Sequence, residues 1–231
     1  MMVISVSLGA QSYPIILDSG VLSHAGEHLA LARCVLVVTD SGVPEEYAET
    51  VAGACRQARI CTVPAGESSK NMDSYQQLLG EMLALGMGRG DCVVAVGGGM
   101  VGDLAGFAAA TYMRGVDFYN VPTTLLAQVD SSVGGKTAID MNGVKNIVGA
   151  FHQPRAVLID TDTLRSLSRR QMAAGLAESV KMAMTCDAAL LELIESSSDL
   201  TADLPEIIAR SLSIKARVVE QDPTEQGLRR V

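Results

Sequence analysis

The chain has 231 residues, 48% of them apolar, with no Trp and three Phe, so its core rests on aliphatic side chains and eleven Met. Eighteen Lys and Arg against twenty-six Asp and Glu give a net charge of −8, which argues against a nucleic-acid or anionic-membrane partner. Five cysteines (Cys34, Cys55, Cys61, Cys92 and Cys186) show no Cys-x-x-Cys spacing and read as free thiols of a reducing compartment. No basic residue precedes Arg33 and no apolar run is long enough to span a bilayer, so the expectation is a cytoplasmic protein. The length exceeds one average domain and falls short of two full ones, which predicts a complete domain with a smaller partner.

Val3 to Leu8 and Ser12 to Leu17 alternate around Gly9-Ala10 and predict an N-terminal hairpin, followed by a short helix from about Val21 to Leu31. That helix carries His24-Ala-Gly-Glu-His28, the His-x-x-Glu-His spacing of one zinc-protease class. Gly26 weakens a helix that would have to present both imidazoles, so surface histidines are the reading here. Arg33 to Asp40 is a continuous apolar run ending in a polar residue, as in a strand buried on both faces of a parallel sheet, and it leaves Asp40 at the carboxyl end. A helix from Pro44 through Arg56, a strand Arg59 to Val63, a loop Pro64 to Lys70, a helix Met72 to Leu85 and a strand Asp91 to Val96 continue the alternation. Such a pattern points to an open parallel α/β sheet.

The last of those strands runs into Gly97-Gly98-Gly99-Met-Val-Gly102-Asp103 ahead of a helical Leu104 to Thr111. Glycines at 97, 99 and 102 fit the Gly-x-Gly-x-x-Gly dinucleotide pattern, although in a later strand–helix unit than an ordinary Rossmann domain uses. Asp103 at that place reads equally as a helix cap or as a ligand contact. After Arg114-Gly115 and a strand Val116 to Val121 comes a stretch from Asn120 to Asn146 that is neither clean strand nor clean helix. Its paired threonines, Ser-Ser pair and two adjacent glycines stand beside Asp130, Lys136, Lys145 and Asn146. Glycine pairs let backbone approach a ligand, and the mixture of donors with buried-type Leu125, Leu126 and Val129 predicts a ligand-lined loop. Arg114, Lys136, Lys145 and Lys181 would make a cationic pocket suited to a small anionic substrate. Val157 to Asp160 is the last predicted strand; from there the pattern is helical, over Leu164 to Leu167, Gln171 to Thr185, Ala188 to Ser196 and Leu204 to Gln221. An α/β domain over residues 1–160 and a helical one over 161–231 follow.

These motifs, with Gly175-Leu-Ala-Glu178-Ser-Val-Lys181, closely resemble 3-dehydroquinate synthase of the sugar phosphate cyclases, along essentially the whole chain. The resemblance implies an NAD-binding Rossmann-like α/β domain followed by a helical domain carrying metal and substrate ligands. It implies that Asp40, Glu67, Lys70, Gly98, Gly99, Asp103, Thr123, Thr124, Thr163 and Ser166 meet NAD, together with Lys136 and Lys145. Arg114, Asp130, Lys136, Lys145, Asn146, Lys181 and Arg229 would serve the substrate, and Glu178 would be a ligand of Zn2+ or Co2+. Spacing alone makes Glu178 and Lys181 an i,i+3 ion pair.

The implied reaction is a lyase cycle on 3-deoxy-arabino-heptulosonate 7-phosphate by a homodimer: transient oxidation, phosphate loss, re-reduction and intramolecular aldol closure to 3-dehydroquinate. A sister cyclase acting on another sugar phosphate, or a non-catalytic NAD-binding remnant, are the alternatives. The resemblance also places two further metal ligands, both histidines, beyond Val231, so this chain is expected to be C-terminally truncated and to bind NAD weakly without turnover. Asp140 and Val144 depart from the Asn and Gly of many relatives and read as drift in a loop.

Overall fold

The computed structural model describes residues 1–227. A hairpin of β1 (Met2–Val6) and β2 (Tyr13–Asp18) leads through a 3-10 turn, Val21–His24, into the single helical turn α1 (Ala25–His28). The longer helix expected here is absent, and His24 and Glu27 form an exposed 3.0 Å pair, the surface role foreseen for them. Then follow β3 (Cys34–Asp40), α2 (Glu45–Gly53), β4 (Gln57–Val63), α3 (Met72–Ala84), β5 (Cys92–Gly97), α4 (Gly99–Thr111) and β6 (Asp117–Pro122). The chain continues with β7 (Lys136–Met141), β8 (Val144–Phe151), β9 (Ala156–Asp160), α5 (Arg169–Cys186), α6 (Ala188–Ser196) and α7 (Leu200–Gln221).

Seven strands form one sheet in the order β1-β2-β9-β6-β5-β3-β4, parallel except for β1. Its central strands are buried end to end because helices cover both faces, as their unbroken Val and Leu runs require. Alternation sorts the side chains. Leu36, Val38, Val93 and Ala95 face α3 and α4, while Val35, Val37, Val94 and Val96 face α1 and α2. The chain passes outward from β3 to β4 and returns across β3 to β5, so the carboxyl ends of β3 and β5 diverge at a topological switch point, the usual ligand crevice of open α/β sheets. Val38 pairs with Ala95, which brings Asp40 level with Gly97. The glycine-rich turn therefore sits at the switch point although it belongs to a later unit.

Two expectations need correction. The stretch after Pro122 is helical from Leu125, closing in a π-type turn over Ala127–Ser131, and only 123–124 and 132–135 are loop. Leu125 and Val129, four apart on one face, are both fully buried against Ile15, Val157 and Leu212, and that packing stabilises the helix. Residues 136–151 then form a two-stranded antiparallel hairpin outside the main sheet. It lies over α4, close enough that a Cβ on Gly106 would stand 2.5 Å from Thr137 Cγ2.

Helix α7 joins the same core as β1, β2 and β9 through Leu204, Ile208 and Leu212, while Met182, Leu190, Ile207 and Ile214 form a separate cluster among α5, α6 and α7. Among the described residues no helix is long and apolar enough to cross a membrane. The five thiols are free, with Cys186 exposed, and burial pushes Cys55 up to about 11 and Cys92 up to about 12.

Gly175 on α5 allows close contact with the helical turn below it, since a Cβ there would lie 2.5 Å from Leu125 Cβ and 2.6 Å from the Leu126 amide nitrogen. Gly175→Ala should lower stability by roughly 1–3 kcal/mol in urea unfolding despite the better helix propensity of Ala. An unchanged midpoint would contradict that packing.

Candidate active site

Helix α4 starts at Gly99 with Gly98 as its N-cap, and no side chain caps it. First-turn amides of a helix lack intrahelical acceptors, so Gly99, Met100 and Val101 offer N–H groups at the positive end of the dipole, an anion cradle. Its floor leaves little room for a side chain: a Cβ on Gly98 would lie 3.3 Å from Thr124 Cγ2, and one on Gly99 2.8 Å from Ser131 Oγ. The cleft here is lined by Asp40, Gly42, Ala65, Gly66, Gly98, Thr123, Thr124 and Ser166. Asp40 Oδ1 accepts the Gly42 amide at 2.7 Å, the Thr123 amide donates to Gly97 O at 2.9 Å, and Thr124 Oγ1 accepts the Ala127 amide at 3.2 Å. Thr163 is buried away from this wall: its hydroxyl donates to Asp160 O at 2.7 Å and accepts from Gln128 Nε2 at 3.1 Å. Ser166 reaches the cleft and donates to Thr163 O at 2.8 Å.

Asp103 is not a cap, because the helix begins four residues earlier. It lies in the second turn of α4 and faces Lys70, whose side chain is 3% exposed. Lys70 Nζ lies 3.0 Å from Glu67, 3.1 Å from Asp103 and 3.9 Å from Asp140, and it donates to Asn146 Oδ1 at 2.6 Å. Burial alone would pull this ammonium down, yet Glu67 and Asp103 hold it above its ordinary value and hence cationic. One cation among three carboxylates leaves surplus negative charge. Asp103 carries it, pushed up to about 6 by burial against the pull of Lys70, with Glu67 and Asp140 adding to the rise.

Beyond Asp103 a second cleft of about 570 Å³ opens between the 130–133 segment, the hairpin and α7, lined by Asp130, Ser131, Lys136, Asn146, Ile147, Phe151, Lys215 and Glu225. Lys215 Nζ donates to Asp130 Oδ1 at 2.5 Å, and Lys136 pairs with Glu225. Lys215 was not foreseen. It lies between buried Ile214 and Ala216, and its polar position on an amphipathic helix is the only signal that could have marked it. Lys145 is largely exposed, 3.8 Å from Glu67. Arg114 is not brought to this cleft: it is exposed and precedes the amino end of β6, about 20 Å along the strand from Pro122. Glu178 and Lys181 pair with each other on α5 and do not line the cleft. Arg229 lies outside the described residues.

A dinucleotide fits what is present, an uncapped glycine cradle beside the buried and unpartnered Ser131 hydroxyl. For a metal ion the described residues supply less. Glu178 is one carboxylate, and among the described residues no group of three His, Cys, Asp or Glu side chains could hold an ion. His152 lies at the amino end of the sheet, its Nε2 2.9 Å from Val116 O.

Models of the 3-dehydroquinate synthase N-terminal and C-terminal regions match residues 60–174 and 175–231. A 3-dehydroquinate synthase of Pelobacter propionicus is 47% identical over all of this chain and 68% of its own length. The chain belongs to the 3-dehydroquinate synthase family. Another member of that family, from Caulobacter vibrioides, is 45% identical over 98% of the chain and 65% of its own length. The chain thus spans about two thirds of the length of these curated relatives. Solved structures of similar fold include a 2-deoxy-scyllo-inosose synthase (TM-score 0.85, 27% identity, 99% of this chain and 68% of that one). A 2-epi-5-epi-valiolone synthase from Streptomyces hygroscopicus subsp. jinggangensis, with NAD+ and Zn2+ bound, gives a TM-score of 0.87 at 29% identity over 96% of this chain and 65% of its own.

Because the pKa of Asp103 lies above the unfolded value of 3.8, at about 6, the folded chain of this family member takes up a proton between those pH values. The contribution of Asp103 to stability therefore falls as pH rises through that window. Asp103→Asn removes the effect, so its stability relative to the parent should improve from pH 5 to pH 7.5 in urea unfolding, and parallel pH dependences would contradict this assignment.

Proposed function

We propose that the protein acts as a 3-dehydroquinate synthase, a carbon–oxygen lyase that converts 3-deoxy-arabino-heptulosonate 7-phosphate to 3-dehydroquinate and phosphate. The observation that carries it is a juxtaposition: the cation-bearing cleft and the glycine cradle share a wall, in which Ser131 fills the space a Cβ on Gly99 would need and Asp103 pairs with Lys70. A sugar phosphate in the first would lie beside a dinucleotide in the second. The choice among cyclases follows relatedness, because the first-named relatives are 45–47% identical and the solved sister cyclases 27–29%. NAD, when bound, would supply a transient hydride acceptor for a secondary alcohol of the substrate.

The chain's own residues supply placement and charge. The α4 amides would bind the pyrophosphate; Asp40, at the end of β3, would take a ribose hydroxyl, which its free carboxylate oxygen can accept. Lys136 and Lys215 reach the second cleft from opposite sides, and their charges suit the phosphate and carboxylate of the substrate. Asp130, 2.5 Å from Lys215, directs that ammonium, and could take up a proton from the substrate in turn. Asn146 adds a neutral amide that can both donate and accept. The division at residue 160 belongs to the same proposal, supported by the separate cluster of α5, α6 and α7. A zinc or cobalt role for Glu178 is supported by the family resemblance and by the Zn2+ bound in the similar 2-epi-5-epi-valiolone synthase, and no step is assigned to it.

The test has two parts. NAD titrated calorimetrically into the protein should bind, and Gly99→Val, which fills the cradle, should weaken binding at least ~100-fold. NAD-dependent phosphate release, measured on the full-length protein, should favour the heptulosonate phosphate over glucose 6-phosphate and sedoheptulose 7-phosphate. Preference for either of the latter would transfer the chain to a sister activity, and NAD binding with no release on any substrate would favour a binding remnant.

A further inference from the structure

The hairpin is irregular near its tip. Between the pairs Ile139–Val148 and Met141–Val144 one residue of β7, Asp140, faces three of β8, 145–147, so the bulge lies on β8 and Asp140 stands outside the regular ladder. Bulges turn a strand and re-aim one side chain. Here the backbone of Asp140 leaves the hairpin to pair elsewhere: its amide donates to Lys70 O at 2.8 Å. Its carboxylate Oδ1 accepts the amide of Asn146 at 2.8 Å and lies 3.9 Å from Lys70 Nζ. Asn146 adopts a left-handed φ of 54°, a conformation that Asn tolerates better than most residues but that still needs an external hold. With that amide fixed, the Asn146 side chain turns to Lys70 at 2.6 Å and lines the cation-bearing cleft. One carboxylate thus ties together the hairpin tip, the Glu67–Lys70 turn and the Asn146 side chain.

We propose that Asp140 is a positioning residue that locks the hairpin tip to Lys70, so that the substrate wall carrying Asn146 and the cofactor wall carrying Lys70 are set by one side chain. It touches neither ligand and acts through Asn146 and Lys70. The charged groups around it are Lys70 and Glu67 from the 67–70 turn, Asp103 from α4 and Lys145 from β8. Since Asp140 adds to the rise of Asp103, removing its charge should move the Asp103 titration to lower pH.

The inference rests on the assignment of the glycine cradle to NAD, and the experiment separates the two. NAD affinity is measured by calorimetry on the full chain, its Asp140→Ala variant and its Asp140→Asn variant, with Asp103 followed by carbon-13 NMR of labelled carboxyls. Loss of the acceptor in Asp140→Ala should weaken NAD binding about tenfold, the usual scale for one charge-assisted hydrogen bond. Asp140→Asn keeps an acceptor for the Asn146 amide and should restore affinity to within about twofold, while still titrating Asp103 at lower pH, a combination that mere loss of stability would not produce. If Asp140→Ala fails to fold, the Asn variant decides. Unchanged Asp103 titration in that variant overturns the proposal, as does parental NAD affinity in a folded Asp140→Ala. Absence of NAD binding by the parent chain would instead overturn the cofactor assignment.

Discussion

The structure depends on how tightly α4 is held. It lies with β5 and β6 beneath it and the β7–β8 hairpin above, and eight of its thirteen residues are buried. Only small residues permit that. Gly102 meets the Asn120 side chain, Gly106 meets Thr137 and Phe118, and Ala105, Ala108 and Ala109 fill what remains. A helix packed on nearly every side cannot slide, so its first turn is fixed where β3 and β5 part. Preorganisation of this kind lets a backbone cradle bind an anion without ordering itself first. The hairpin placed by the same packing carries Lys136 and Asn146, so the two walls of the candidate site are located by one helix.

Charge balance inside this frame is uneven. The chain is acidic overall, yet its clefts gather lysines: Lys70 at the seam, Lys136 and Lys215 beyond it. Each has a carboxylate in place, Asp103 and Glu67, Glu225 and Asp130 respectively. An incoming phosphate would exchange one anionic partner for another instead of meeting bare ammonium groups, which keeps their desolvation cost moderate before and after binding. Asp103 is the exception, a carboxylate that gains by losing its charge.

Most of the sheet was legible because strands buried on both faces announce themselves as unbroken apolar runs. Cys34–Asp40 and Cys92–Gly97 needed no further information, and neither did the glycine turn between β5 and α4. The hairpin was not legible. Residues 144–147 of β8 are all exposed, Gly143 and Gly149 break the alternation, and the ladder has only one partner strand, so no apolar period exists to read. Residues 125–131 were mistaken for loop because Ser131, Ser132 and the glycines dominate the composition. The helix there is specified by two residues, Leu125 and Val129, whose value appears only once β2, β9 and α7 surround them. Site residues were legible through the family resemblance where they sit in motifs. Arg114 is a motif residue too, but its place ahead of β6 keeps it away from the cleft of its own chain.

The cysteines, finally, divide the molecule chemically. Thiols react as thiolates, and burial keeps Cys55, in the turn after α2, and Cys92, in β5, protonated far above neutral pH, while Cys34 and Cys61 are raised as well. Cys186, at the end of α5, is exposed, so oxidants and alkylating reagents would be received there first. Oxidative wear would therefore begin on the helical side and leave the cofactor sheet intact. The same asymmetry offers a single attachment point for a spectroscopic probe at the joint between α5 and α6.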